Sequence, residues 1–115
     1  MFGSGHTIDQ NVSKSNSSDG FHIGGTNVTI AKNLTRDNAR DGIDLDGGSN
    51  DTIDRNRAFD NGAEGIENNA SGTQVTNNVA KRNRIDFANN GGGATFSGNV
   101  SGDGTAASPP PPEIE

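Results

Sequence analysis

One short pattern occurs five times along this chain and limits its possible folds more than any other feature. In each copy an apolar residue precedes an Asn by three positions, as Ile30 precedes Asn33. The five Asn are spaced 22, 23, 22 and 21 residues apart. They are Asn11, Asn33, Asn56, Asn78 and Asn99. A period of about 22 residues with short alternating segments separated by Asn and Gly predicts a parallel β-solenoid of about five coils.

The rest of each copy is also periodic. Four copies carry a second Asn five residues after the first: Asn16, Asn38, Asn61 and Asn83. Three residues later stands an acidic residue, which is Asp19, Asp41, Glu64 or Asp86. In the first three copies Gly and a short apolar segment follow: Phe21–Ile23, Ile43–Leu45 and Ile66–Asn68. This regularity predicts that equivalent residues of successive coils form columns.

The two sets of Asn have a physical role in such a fold. Stacked coils lie about 4.8 Å apart, and a side-chain amide both donates and accepts hydrogen bonds. Each Asn can therefore bond to the equivalent Asn in the neighbouring coils, forming a ladder. Asn and Gly also tolerate the left-handed backbone that sharp corners require. We expect these ladders to replace part of a conventional core.

A conventional core is excluded by composition. Leu, Ile, Val and Phe make up about 17% of the 115 residues, a level that by itself suggests disorder. The periodic Asn and Gly indicate order instead. A leucine-rich repeat of similar period is excluded because the chain has only Leu34 and Leu45.

The net charge and the residue types that are absent exclude or disfavour several classes of function. The net charge of −6 argues against nucleic-acid partners, which require a surplus of Lys and Arg. The absence of Cys excludes disulfides and thiolate metal sites. No apolar segment approaches the roughly 20 residues that span a membrane, and no signal peptide is visible. The lack of Trp and Tyr disfavours binding of neutral sugars, which are commonly held by aromatic faces.

These repeats resemble the right-handed parallel β-helix proteins of the pectate lyase-like group, whose pattern is an apolar residue, Asn, a second Asn and then Asp-Gly-Ile. The likeness covers about residues 6–104 and is clearest from Val28 to Asn61. It implies a right-handed helix and an extracellular or cell-envelope location. The fold hosts lyases, hydrolases, epimerases, phage tailspikes and adhesins, so the resemblance alone does not select an activity.

The fourth copy departs from this pattern and leaves two registers open. Ile85–Phe87 replaces Ile43–Leu45 after a two-residue deletion, or Phe87 takes the position of the Gly. The spacing of three residues from Asn83 assigns Asp86 to the column of corner acids.

The outward positions of the closing segment hold the candidate site. We expect His22, Asp44, Glu67 and Asn89 to form one column, with Asp46 on the same face as Asp44. Asp44 and Glu67 would then be about 5 Å apart at Cα. That is close enough to share a Ca²⁺ ion with Asp46, or to split their pKa values into an acid and a base. The alternative interpretation is a solvated acidic surface.

Catalysis on an acidic sugar also requires cations near the acids. Two basic columns are predicted: Lys14, Arg36 and Lys81, interrupted by Phe59, and Lys32 with Arg55. Neither adjoins the acidic column, so they are expected to serve solubility.

These observations favour a structural or carbohydrate-interacting segment of a larger extracellular or envelope protein, without a complete active site. The alternative is a fragment of a Ca²⁺-dependent polysaccharide lyase or C5-epimerase, with His22, Asp44 and Glu67 as candidate catalytic residues. The expected partner is an acidic polysaccharide, and free coil edges suggest end-to-end self-association. We divide the chain into an edge (1–5), repeats (6–104) and a flexible Pro-rich tail (105–115).

Overall fold

The structure, a computed structural model, describes residues 3–102 and contains only short parallel strands. In chain order they are β1 Thr7–Asp9, β2 Val12–Lys14, β3 Phe21–Thr26, β4 Thr29–Ala31, β5 Leu34–Arg36, β6 Ile43–Ser49, β7 Thr52–Asp54, β8 Arg57–Phe59, β9 Glu64–Asn68, β10 Gln74–Thr76, β11 Val79–Lys81, β12 Ile85–Asn89, β13 Thr95–Ser97 and β14 Val100–Ser101. No helix occurs within this range, and hence none that could cross a membrane. The tail expected at 105–115 lies outside the described residues.

Every third strand stacks into the same sheet. The three sheets have the orders β1-β4-β7-β10-β13, β2-β5-β8-β11-β14 and β3-β6-β9-β12. The described residues thus form four complete coils and the first two strands of a fifth. This confirms the predicted solenoid, with slightly fewer full coils than expected.

The interior is a set of one-residue columns. Ile8, Ile30, Ile53, Val75 and Phe96 are register partners in the first sheet, and all are buried. A column of small residues fills the second sheet: Ser13, Thr35, Ala58, Ala80 and Ser101. Such narrow columns let a chain with few large apolar residues bury a continuous core.

The first asparagine ladder forms as predicted. Asn33 donates from both its backbone N–H (2.9 Å) and Nδ2 (3.0 Å) to Asn56 Oδ1. Asn33 Nδ2 also donates to the carbonyl of Ile8 in the preceding coil. The same pattern links all five members, and those from Asn33 onward are buried. Asn33, Asn56 and Asn78 therefore each join three coils.

The left-handed corners bear out our expectation in part. Asn27 and Asn50 adopt positive φ at the corners before the first sheet. At the first ladder, however, the residue with positive φ is the one before each ladder Asn, as in Lys32 and Arg55 (both φ 58°), and not the ladder Asn itself. A non-Gly residue is disfavoured in this conformation by about 1–2 kcal/mol. The following Asn compensates, because its backbone N–H and side chain both bond to the next coil.

The second ladder ends in an unexpected way. Asn16, Asn38, Asn61 and Asn83 are linked by Nδ2-to-Oδ1 bonds of 2.8–2.9 Å. Beyond Asn83, Asp86 Oδ1 accepts from the Asn83 backbone N–H (3.3 Å) and Nδ2 (3.1 Å). Asp86 Oδ2 accepts from Ser101 Oγ and from the Gly102 N–H. Asp86 thus replaces the amide oxygen of a fifth Asn.

Both registers considered for the fourth coil are wrong. Ile85 pairs with Glu64 and Phe87 with Ile66, so Asp86 occupies the position of Gly65. In the preceding coils a side chain at this Gly position would clash with the next coil, since a Cβ on Gly42 would lie 2.6 Å from the Gly65 carbonyl oxygen. Asp86 lies in β12, the last strand of the third sheet, so no further strand of that sheet occupies this space among the described residues. Its carboxylate there accepts the last hydrogen bonds of the ladder from Asn83.

Candidate functional site

The outer face of the third sheet brings the predicted site residues together. His22 pairs with Asp44, and Asp44 with Glu67, in adjacent strands. Asp44 is only 8% exposed although it faces outward. It is therefore not the solvated surface residue of the alternative interpretation.

His22 lies among three carboxylates. Its Nδ1 is 3.2 Å from Asp19 Oδ2 and 3.6 Å from Asp44 Oδ2, and its Nε2 is 3.3 Å from Asp46 Oδ2. Ligand atoms of Asp19, His22 and Asp44 all lie within 4.8 Å of one another. Asp44 Oδ1 is buried without a hydrogen-bond partner. An unpaired buried carboxylate oxygen is costly, and a cation would satisfy it.

A second group of acids adjoins the first. Oxygen atoms of Asp41, Glu64 and Glu67 lie within 4.8 Å of one another. Glu67 belongs to this group, so the predicted set of Asp44, Asp46 and Glu67 is divided between two clusters. We call the six carboxylates with His22 the acidic patch: Asp19, His22, Asp41, Asp44, Asp46, Glu64 and Glu67.

Backbone hydrogen bonds hold the corner acids in place. The N–H of Asp41 donates to Asp19 Oδ1 (3.1 Å), and the N–H of Glu64 donates to Asp41 Oδ1 (3.0 Å). Each acid thus accepts from the next coil. The corner thus directs Asp19 towards His22 and Asp41 towards Glu67 on the outward strands.

Burial and the repulsion between neighbouring carboxylates raise the pKa values of several acids in this patch. The pKa of Asp44 is raised to about 6, mainly by burial and then by the charges of Asp41 and Asp19. Burial also raises the pKa values of Asp41 and Glu64. The patch therefore holds protons more tightly than isolated carboxyls, and a bound cation would compete with them.

Two arginines border the acidic patch. Arg40 Nε lies 3.9 Å from Asp19 Oδ1, and an Arg84 side-chain nitrogen lies 3.6 Å from Glu64 Oε2. Both are largely exposed. The repeat pattern does not reveal these two arginines, because the other coils carry Ser18 and Ala63 in the same column.

Two predicted columns are wrong in the fourth coil. Ala88, not Asn89, pairs with Glu67, and Asn89 pairs with Asn68 instead. Asp86 leaves the corner-acid column, where Ile85 stands. Both errors follow from assigning Asp86 to the acids when it occupies the Gly position.

The basic columns lie elsewhere, as expected. Lys14, Arg36, Phe59 and Lys81 are register partners in the second sheet. The guanidinium groups of Arg57 and Arg82 lie 5.3 and 5.5 Å from the centre of the Phe59 ring, a cation–π arrangement. Arg82 also pairs with Asp60, its Nε lying 2.8 Å from Asp60 Oδ1.

Comparison with known proteins agrees with this architecture. The family model described as a right handed beta helix region matches residues 1–105, nearly the whole chain. Neither the curated proteins nor the solved structures include a match.

Proposed function

The chain belongs to the right-handed β-helix family, and from that premise we propose that it is a carbohydrate-interacting segment of a larger extracellular or envelope protein. In this proposal the acidic patch binds a divalent cation, through which the segment holds an acidic polysaccharide. The observation that carries it is the buried Asp44 Oδ1, which lacks a partner inside a cluster of carboxylates.

The donor atoms of the patch fit Ca²⁺. This ion takes six to eight oxygen ligands and tolerates irregular geometry. Asp41, Glu64 and Glu67 offer oxygen donors only, while Asp44, which carries the unpaired oxygen, lies in the neighbouring cluster with Asp19 and His22. His22 is a softer nitrogen donor, so Ca²⁺ would be held by carboxylates of the patch and not by the imidazole.

The chain's own residues prepare the patch for a polyanion. Ca²⁺ would supply the positive charge that attracts sugar carboxylates. The backbone bonds to Asp19 and Asp41 keep their carboxylates oriented before any ligand arrives. Arg40 and Arg84 provide two exposed positive groups at the border. Without a cation, the negative patch repels such a polymer.

Retention on immobilised polygalacturonate and alginate tests this proposal. We expect retention with Ca²⁺ and none with a chelator, and no retention on neutral dextran. The variant D44N/E67Q should lose retention, whereas D9N, which removes an exposed carboxylate from the first sheet, should keep it. Absence of Ca²⁺-dependent retention, or equal retention by D44N/E67Q, would refute the proposal.

A second candidate function is a polysaccharide lyase or C5-epimerase. Asp44 favours it, because a carboxyl with a pKa of about 6 beside His22 can exchange a proton near neutral pH. Its role would be to take the proton at C5 of a uronic acid. Absorbance of unsaturated products tests the lyase, and deuterium exchange at C5 tests the epimerase. If the wild type and D9N show turnover and D44N does not, the enzyme function would replace the proposal that the segment only binds polysaccharide.

A further inference from the structure

The first coil presents a face with unsatisfied strand edges and apolar surface. Within residues 3–102, β1, β2 and β3 each stand at the edge of their sheet, and only the end of β3 is covered there, by a bridge between Ser4 and Thr26. An opening of about 460 Å³ at this face is lined by Ile8, Phe21 and Ile23, among others. Val12 is 63% exposed, the only large hydrophobic residue so exposed in the described chain. Such a face is suited to pairing with another coil.

The last coil presents a complementary face. β13 and β14 stand at the opposite edges of the first two sheets. Phe96 packs edge-to-face on Phe87, with ring centres 6.4 Å apart, and closes the interior. The segment Thr95–Ser101 has no charged residue. A coil stacked on it would meet no like charge there.

The first asparagine ladder has a direction, and its two ends match. Each Asn donates its Nδ2 and backbone N–H to Oδ1 of the next coil, as Asn78 does to Asn99. Among the described residues, Asn11 Oδ1 therefore accepts from no preceding Asn, and the Asn99 N–H meets no following Oδ1. One end lacks a donor and the other lacks an acceptor.

The sequences of these two coils also match. Thr7–Ser13 and Thr95–Ser101 occupy the same columns and share Thr, Asn, Val and Ser at four of those positions. A last coil placed under a first coil would thus continue the columns with residues that the solenoid already uses.

We propose that copies of this chain stack head to tail, with the last coil of one copy against the first coil of the next. Asn99 of one copy then donates to Asn11 Oδ1 of the next, which extends the ladder. Val100 covers the exposed Val12, and Phe96 faces Ile8 at the opening. Ser97 lies opposite Asp9, so no like-charged pair forms in that column.

Sedimentation velocity of the full chain over a range of concentrations tests this stacking. The net charge of −6 opposes association, so we expect it to strengthen as salt rises. V12E and V100E should each weaken it by roughly fivefold, because each places a charge against an apolar cross-strand neighbour. Q74E adds the same charge at an exposed position in the fourth coil and should leave association unchanged.

A charge-paired variant makes the test specific. Residues 12 and 100 lie at opposite ends of one molecule, so V12K/V100E can form a pair only between molecules. We expect it to recover the association lost in V100E, while circular dichroism shows an unchanged β-rich fold for every variant. A protein that stays monomeric at all concentrations, or whose association is equal in wild type, V12E and V100E, would overturn the proposal. A monomer would also result if only a coil of another chain fits this face.

Discussion

Asp44 Oδ2 lies 3.6 Å from His22 Nδ1, while Asp44 Oδ1 is buried without a hydrogen-bond partner. A buried carboxylate with an unpaired oxygen lowers the free energy of unfolding when it is ionised. Stacked coils usually satisfy their buried polar atoms, as the asparagine ladders do. The exceptions among the described residues are Asp44 Oδ1, Asp51 Oδ2 and Thr73 Oγ1. Of these three residues only Asp44 belongs to a cluster of acidic side chains, which marks it as a residue placed for binding.

Asp44 should make the protein more stable in mild acid than at neutral pH. Its folded pKa of about 6 exceeds the usual 3.8, so the folded state binds the proton more tightly. Stability then falls as pH rises from about 4 to 6, by up to about 3 kcal/mol. The raised pKa values of Asp41 and Glu64 act in the same direction.

Urea unfolding at pH 5 and pH 7 in the presence of a chelator measures this effect. D44N should be more stable than wild type at pH 7 and should lose much of the difference between the two pH values. D9N serves as the control and should follow wild type. Equal stability of wild type at both pH values would contradict the prediction.

Asn56 should be essential to the stability of the solenoid. Asn56→Ala removes the acceptor for two bonds from Asn33 and the donor to the Ile30 carbonyl, all of them buried. We expect a loss of about 3–5 kcal/mol in the free energy of unfolding. Gln74→Ala removes an exposed side-chain amide and should change it by less than about 0.5 kcal/mol. Similar losses from both substitutions would show that the ladder has no special role.

Gly42 should not tolerate a side chain. A Cβ there would lie 2.6 Å from the Gly65 carbonyl oxygen and 2.8 Å from Asn61 Nδ2. We expect Gly42→Ala to cost about 2–4 kcal/mol in thermal or urea unfolding, because backbone of the next coil must move. At Gly92 an added Cβ meets nothing within 4 Å. Gly92→Ala should therefore remain near wild type, and a neutral Gly42→Ala would disprove the close coil contact.

Asp86 should stabilise the protein although it breaks the repeat pattern. Asp86→Gly restores the residue found at positions 20, 42 and 65, yet removes the carboxylate that accepts from the Asn83 backbone N–H and from Ser101 Oγ. We expect a loss of about 1–3 kcal/mol. Asp86→Asn keeps an oxygen for Asn83 and should lose less. An unchanged or increased stability of Asp86→Gly would show that the ladder needs no terminal acceptor.

The repeat predicted most of this fold because its columns depend on spacing alone. Ile30 and Ile53, like Asn33 and Asn56, stack wherever the period is kept. The fourth coil could not be placed in the same way. An Asp there fits both the acidic column and, at the end of a ladder, the Gly column, and only the bonds to Asn83 and Ser101 decide between them.

The candidate site was predicted only in part. The alternation of inward and outward side chains along a strand correctly placed His22, Asp44 and Asp46 on one outer face. It could not reveal that Asp41 and Glu64 turn from the corner towards Glu67, because that depends on side-chain direction at a bend.

Calorimetric titration of Ca²⁺ into the chelator-treated protein at pH 7 tests the central claim most directly. We predict a saturable binding isotherm for wild type and D9N, and loss of binding in D44N/E67Q. Binding to wild type should weaken at pH 5, where protons occupy Asp44. An isotherm without saturable heat at pH 7, or one that D44N/E67Q retains, would contradict the assignment of the acidic patch as a cation site.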